Sequence, residues 1–376
     1  MKLRLLIEKL KMAIEMGKIG ELVEGIWNYN VVSKFKPLYP REMFVNLTYR
    51  CNSKCIMCHI WQTKVKKEMG LKEWKKIVKD PIFREIRALT ISGGEPILHP
   101  EFDEIAELLV EKLPKIKELG LITNGFLTET IIEKVGLLAE ICVENEIRFS
   151  VSVSLDGVGE IHDKVRRVKS GFKKTEATIL GLKKLRQKMD NSFNLNIGSV
   201  ILKQNLKSFN ETRKWLQKMK VDHGFQIVGF HKTFVNNLNT EEEVGFAKGD
   251  KKDLRVVLEK LKKYESMKGY YWSDLLAMYT KGTSRTTPCP LAIDQMVIDG
   301  EGEVFYCLSE KAIGNFLKEK RSIAEIYFDK NNLKIRKERW QTVCRKCNSG
   351  CNAKTAIIYD VTKNLWYKVT GKVWPR

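Results

Sequence analysis

Six short apolar runs, each followed by a helical pattern, constrain this chain more than any other feature of it. The runs are MFVNLTY (43–49), ALTISG (88–93), LGLITNG (119–125), RFSVSVSLDG (148–157), LNIGSVIL (195–202) and FQIVGF (225–230). Helical patterns near 71–79, 100–112, 129–144, 172–188 and 206–219 lie between them. Strands and helices alternating in this way build right-handed crossovers over a parallel sheet, so the expected class is α/β. Six units are two short of a closed eight-stranded barrel, and the expectation is a partial, open (βα)6 barrel. A doubly wound open sheet satisfies the same periodicity.

Outside those units the pattern changes. Residues 1–28 read as an amphipathic helix, with Leu3, Leu6, Leu10, Ala13, Ile14 and Val23 near one face, followed by the linker FKPLYPRE. Beyond 235 a polar stretch leads to a charged helix near 252–268, and QMVIDGEGEVFYC (295–307) reads as a hairpin with a Gly-rich turn. The expected organisation is helix and linker over 1–40, barrel over 41–235, helical connector over 236–285 and a small domain with a tail over 286–376.

No run approaches the eighteen or so uninterrupted apolar residues of a spanning helix, which excludes an integral membrane protein built of helices. The start, MKLRLLIEKLKMAIEMGK, is broken by charges every few residues and is not a signal peptide. A cytoplasmic protein is expected, free or peripheral on the cytoplasmic membrane surface. With 67 Lys+Arg against 46 Asp+Glu, the net charge of +21 favours anionic partners: nucleic acid, lipid headgroups or phosphorylated substrates.

The nine cysteines are placed for metal chemistry rather than for disulfides. Cys51, Cys55 and Cys58 lie directly after the first strand, and Cys344, Cys347 and Cys351 form a second group with Cys289 and Cys307 upstream. Cys142 stands alone in an apolar helical pattern and reads as core. Three thiolates on one tight loop can hold three irons of a [4Fe–4S] cube and leave the fourth iron open. A structural zinc site would want a fourth ligand there.

Cys51-x3-Cys55-x2-Cys58 after strand one, with Gly93-Gly94-Glu95-Pro96 after strand two, resembles the radical S-adenosylmethionine (SAM) superfamily. The resemblance extends over most of residues 43–230 and implies that SAM chelates the open iron while the Gly93–Pro96 segment bonds its amine. It also assigns Thr123 and Asn124 to the SAM pocket, Ser152, Ser154 and Asp156 to the ribose side, Arg166 to the carboxylate and Asn205 to the exit of strand five. Met57 departs from the aromatic residue common before the third cysteine. The implied chemistry is reductive cleavage of SAM to a 5′-deoxyadenosyl radical, which abstracts a hydrogen atom from an unactivated C–H bond. A low-potential donor of the flavodoxin or ferredoxin type supplies the electron.

Gly302-x4-Cys307 with the later cysteines resembles the SPASM/Twitch extension of these enzymes, which carries auxiliary clusters. Five thiols suffice for one [4Fe–4S] cube, and the expected ligands are Cys289, Cys307, Cys351 and one of Cys344 or Cys347. A zinc ribbon is the plainer reading of C-x2-C. The substrate is weakly marked. A lipid or lipid-linked molecule at the membrane surface is favoured by the amphipathic start and by LWYKVTGKVWPR, which mixes aromatics with cations. The alternatives are a peptide, as for SPASM-type maturases, an RNA, or a protein that binds iron–sulfur or zinc without catalysis. No recognisable RNA-binding module is present.

Overall fold

The computed structural model describes residues 20–65, 67–350 and 353–375. Strands β1 (Glu42–Thr48), β2 (Ala88–Gly93), β3 (Glu118–Thr123), β4 (Arg148–Ser154), β5 (Phe193–Ile201) and β6 (Asp222–Ile227) pair in sequence order, all parallel. Helices Leu71–Ile77, Phe102–Lys112, Thr128–Glu144, Gly171–Lys188 and Phe209–Met219 cover one face. This is the partial barrel that the periodicity predicts. β6 begins three residues earlier than its apolar run, because Asp222–Gly224 pair with Asn196–Gly198 without apolar side chains.

The sheet does not end at β1. The predicted hairpin forms, as β7 (Gln295–Asp299) and β8 (Glu303–Phe305), but β7 also pairs parallel with the outer edge of β1, from Glu42↔Gln295 to Asn46↔Asp299. β9 (Gly314–Asn315) completes a nine-stranded sheet that joins the barrel to the C-terminal region. All five residues of β7 are buried, so a run that reads as a hairpin arm is covered as a central strand is.

Register sorts the side chains. Val45, Leu89, Ile91, Leu121, Val151 and Ile197 share the face that meets Ile105, Leu109, Val135, Leu138, Ile179 and Leu182 of the helices in one apolar core. The opposite positions face the lumen: Asn46, Ser92, Gly120, Ser150, Ser152, Asn196 and Gln226. The lumen is therefore lined mainly with small and polar groups, with Phe44, Ile122 and Val200 at the same register.

Residues 20–35 are helical with a π-turn at Asn28–Val32, so the amphipathic helix runs past 28; its first nineteen residues lie outside the described ones. Glu24 pairs with Arg41 and Arg87, and Glu21 with Lys117, at the starts of β1, β2 and β3. Asn30 Nδ2 donates to the Tyr359 carbonyl at 2.7 Å. This segment is fastened to the strands' N-terminal ends, opposite the functional loops.

The connector forms helices Lys251–Tyr264 and Gly269–Lys281, followed in the C-terminal region by Ile323–Tyr327, Lys330–Gln341, Ala353–Tyr359 and Val361–Thr370. LWYKVT is the end of that last helix. Its Tyr367 packs on Tyr270 at 5.5 Å between ring centres, and the Trp374 N–H donates to the Tyr270 hydroxyl. Among the described residues no helix is long and apolar enough to cross a membrane.

Candidate functional site: two thiol sets around one chamber

The loop after β1 carries Cys51, Cys55 and Cys58 at the C-terminal end of the barrel. Glu68, itself nearly buried, anchors its start by accepting from Thr48 Oγ1 at 2.6 Å and Tyr49 N at 2.9 Å. Further along, Ile56 N donates to the Val165 carbonyl and His59 N to the Val235 carbonyl. The loop is thus tied to β1, to the segment after β4 and to the segment after β6.

Gly93 and Gly94 let β2 press against that loop. Gly94 N donates to Thr48 O and Glu95 N to Arg50 O, both at 2.8 Å. A Cβ on Gly94 would lie 2.2 Å from Arg50 O and 2.9 Å from Cys51 Cβ. Gly93 has φ +141°, where a side chain is strained as well as crowded. The glycines serve close approach to the cysteine loop in addition to any bond to a ligand.

Burial pushes the Cys51 thiol up to about 11 and the Cys58 thiol up to about 12, with the neighbouring Cys55 adding to both. Such thiols stay protonated until a metal displaces the protons. Arg166 Nη1 points at Cys55 Sγ, 3.7 Å away, and Arg166 Nε pairs with Asp156 at 2.6 Å in near-complete burial. Burial alone opposes the guanidinium charge, but Asp156 and Cys55 hold it firmly ionised.

A small cavity of about 140 Å3 is lined by the three cysteines, Gly93, Gly94, Thr123, Asn124, Ser154 and Arg166. Met57 lines it too, as does Trp61, an aromatic face three residues beyond Cys58 that the sequence reading passed over. Three of the sequence-predicted residues brace the wall from behind instead. Glu95 is fully buried and accepts from Asn124 N at 2.7 Å and Thr123 Oγ1 at 3.1 Å. Asp156 takes the Val200 N–H at 2.7 Å, and Asn205 Nδ2 bridges the Asp156 and Val200 carbonyls, each at 2.7 Å. Pro96 opens a buried 3-10 turn, and Ser152 sits deeper in the lumen, accepting from Asn196 Nδ2 at 3.2 Å.

The second thiol set converges from three segments, at Cys289, Cys307 and Cys344–Cys347. Cys307 is pushed up to about 11 by burial and by Cys289 and Cys347, and Cys344 up to about 12 by burial and by Cys289, Cys307 and Cys347. Four thiols therefore feel one another; Cys351 lies outside the described residues. Among the described residues no three ligand side chains are drawn in to the spacing of a single ion. Arg285, which no sequence pattern marks, laces this set together. Its guanidinium donates to the Thr287, Cys347 and Ser349 carbonyls at 2.8, 3.2 and 2.7 Å.

Between the two sets lies a chamber of about 320 Å3, whose wall includes Met57, Cys58, Ser154 and Arg166 on one side and Cys289, Cys307 and Cys347 on the other. His231 also lines it. Its Nδ1 lies 2.5 Å from Ser309 Oγ, and Ser309 N donates to Cys307 Sγ at 3.4 Å. Burial lowers the His231 pKa, so the ring is neutral near neutral pH.

Comparison with known proteins agrees with this geometry. Residues 45–216 match the radical SAM superfamily model and residues 289–348 match the SPASM iron–sulfur cluster-binding domain, a span that includes Cys289, Cys307, Cys344 and Cys347. The chain carries a radical SAM domain followed by a SPASM iron–sulfur cluster-binding domain. It is 24% identical over 281 residues to the antilisterial bacteriocin subtilosin biosynthesis protein AlbA of Bacillus subtilis, covering 73% of this chain and 57% of that one. A probable GTP 3′,8-cyclase of Methanococcus maripaludis is 36% identical over 96 residues, covering 25% of this chain and 32% of that one. The chain thus spans well under two thirds of either relative. Streptococcus suis SuiB, solved with its precursor peptide SuiA, shares the fold at TM-score 0.59 and 16% identity, over 88% of this chain and 74% of that one.

SAM and two iron–sulfur clusters are the cofactors of this family architecture, and the residues present fit them. Three thiols share one loop, the glycine cradle beside them would be filled by a Cβ, and Cys289, Cys307 and Cys347 meet on one cavity wall.

Proposed function

We propose that this enzyme modifies a peptide, abstracting hydrogen from a C–H bond placed in the chamber between the two thiol sets. The observation that carries the reading is the chamber itself, since one cavity touches both Cys58 and the auxiliary cysteines. Relatives in subtilosin biosynthesis and in complex with a precursor peptide support the same class. A probable GTP 3′,8-cyclase of Methanococcus aeolicus is 29% identical over 61% of this chain, so a nucleotide keeps support of its own; the auxiliary thiols on the chamber wall and the precursor-peptide complex favour the peptide.

The lipid-linked substrate becomes the second reading. Its two sequence supports, helix 1–28 and the C-terminal aromatics, are partly tied to protein, through Glu24 and Tyr367, while Val23, Trp27, Trp366 and Trp374 stay exposed.

When bound, the SAM-ligated cluster supplies the radical that takes the hydrogen atom. The chain's own residues do the rest. Cys51, Cys55 and Cys58 would hold the cluster, and Gly93, Gly94, Thr123, Asn124, Ser154 and Arg166 would frame SAM. Ser154 and Arg166 line both cavities and so mark the boundary between cofactor and substrate. In the tautomer that donates from Nδ1 to Ser309, His231 Nε2 is free to take a proton when the substrate must lose one. Gly229 leaves room for that ring, since a Cβ there would lie 2.7 Å from Nε2.

The test is anaerobic incubation with SAM, dithionite and synthetic precursor peptides encoded beside the gene, read by mass spectrometry and by release of 5′-deoxyadenosine. A peptide mass change dependent on Cys51, Cys55 and Cys58 is the expected result. Release of 5′-deoxyadenosine stimulated by a lipid extract, with every peptide unchanged, would reinstate the lipid reading.

A further inference from the structure

Cys289 faces two ways. On its inner side it lines the chamber, and on its outer side a surface groove of about 630 Å3 between the helical segment 20–35 and helix Lys330–Gln341. Cys344 lines a neighbouring surface cavity of about 550 Å3, and Trp340 borders both openings. The auxiliary thiols are a partition, with substrate space behind them and solvent in front.

Seven cationic side chains and no carboxylate line the two openings; of these Arg285 and Arg336 are buried and Lys363 pairs with Asp360 at 2.8 Å. Among the described residues Lys34, Lys36, Lys337 and Arg345 have no acidic partner in an ion pair. Phe35, at 85% exposure, stands among them, and Trp340 offers a second aromatic contact. Such a surface fits a negatively charged protein with an apolar centre, and the thiols behind it give that protein a redox purpose.

We propose that this face docks an acidic one-electron carrier of the flavodoxin or ferredoxin class, which exchanges electrons with the auxiliary cluster through the Cys289–Cys344 side. The proposal rests on the auxiliary thiols holding an iron–sulfur cluster. With flavodoxin as donor, the flavin hydroquinone anion loses one electron and becomes the neutral semiquinone, and the auxiliary cluster gains that electron. No atom or proton is transferred. Charge steers the encounter, and a small, brief interface suffices for electron transfer.

The experiment uses the full chain with Cys51, Cys55 and Cys58 changed to Ala, so that only the auxiliary cluster is loaded. Iron is counted first: none bound to this variant would refute the cluster assignment, separately from the docking. The loaded protein is then mixed anaerobically with an acidic flavodoxin hydroquinone, and bleaching of the cluster is followed by stopped flow. Lys34→Glu with Lys36→Glu and Lys337→Glu should slow this step about tenfold at low salt and flatten its salt dependence. Reduction by dithionite should be unchanged. An unaltered flavodoxin rate overturns the proposal. So does a rate that falls only when Lys54 and Lys64, beside the first thiol loop, are reversed in otherwise unmutated enzyme. Loss of binding to phosphatidylserine vesicles with the flavodoxin rate intact would make this a membrane-facing surface and equally overturn it.

Discussion

Glu95 shows how one side chain of a motif can brace the neighbouring wall of the cavity that the motif frames. It is fully buried, and two of its partners, Thr123 Oγ1 and Asn124 N, belong to the neighbouring strand's exit. Burial raises its pKa to about 7, against those hydrogen bonds, which favour the carboxylate. Between its ordinary value and about 7 the folded state therefore holds a proton that the unfolded chain has lost. Stability is greatest below that window and falls as pH rises through it. Glu95→Gln keeps an acceptor for Asn124 N and removes the slope, a difference of at most about 3 kcal/mol. Urea unfolding of the iron-free protein at pH 5 and pH 8 should show the wild type losing stability relative to the variant. Parallel behaviour of the two would mean that Glu95 ionises as freely in the fold as outside it.

At the scale of elements, Asp80 couples regions far apart in sequence. Its Oδ1 accepts from Ile82 N at 2.9 Å at the start of the 3-10 turn Pro81–Glu85, and its Oδ2 accepts from Ile323 N at 2.7 Å at the start of helix Ile323–Tyr327. Ser322 caps the same helix through Glu325 N. Asp80→Ala should cost about 2 kcal/mol, since it removes one cap and half of another. Trypsin cleavage in Lys318–Arg321 should accelerate more than cleavage elsewhere, and uniform acceleration would place the loss in the whole fold instead. None of this is legible in sequence: Asp80-Pro81 announces a turn, but nothing in it points to residue 323. The six barrel strands were legible because burial on one face and close approach at each strand's end write a local pattern. The pairing of β7 with β1, the Arg285 lacing and the packing of residues 20–35 are tertiary, and they leave no periodicity behind. The cysteine loop and the glycine cradle were readable for the opposite reason, because their chemistry needs fixed short spacings. Glu95, Asp156 and Asn205 share those segments, but which way their side chains turn is decided by strands two and three units away.

For the whole molecule, the two thiol sets make iron a count of the architecture. Cys289, Cys307, Cys344 and Cys347 already converge, so Cys351→Ala should still reconstitute to about eight irons, whereas Cys344→Ala should fall towards four. Iron analysis with electron paramagnetic resonance after reduction checks both. A Cys351→Ala protein with only about four irons would restore Cys351 to the ligand set expected from sequence and displace Cys344 or Cys347.

The pairing of β1 with β7 also sets a schedule. β1 receives β2 about forty residues after its own end, but its other edge is closed by a strand that lies about 250 residues downstream. During synthesis that interval lasts roughly 10–50 s, at about 5–20 residues per second. For all of it the emerging barrel carries an open strand edge beside an incomplete wall, and such edges invite pairing with other chains. Slower translation would prolong the exposure, and a chain cut short before residue 295 would never end it.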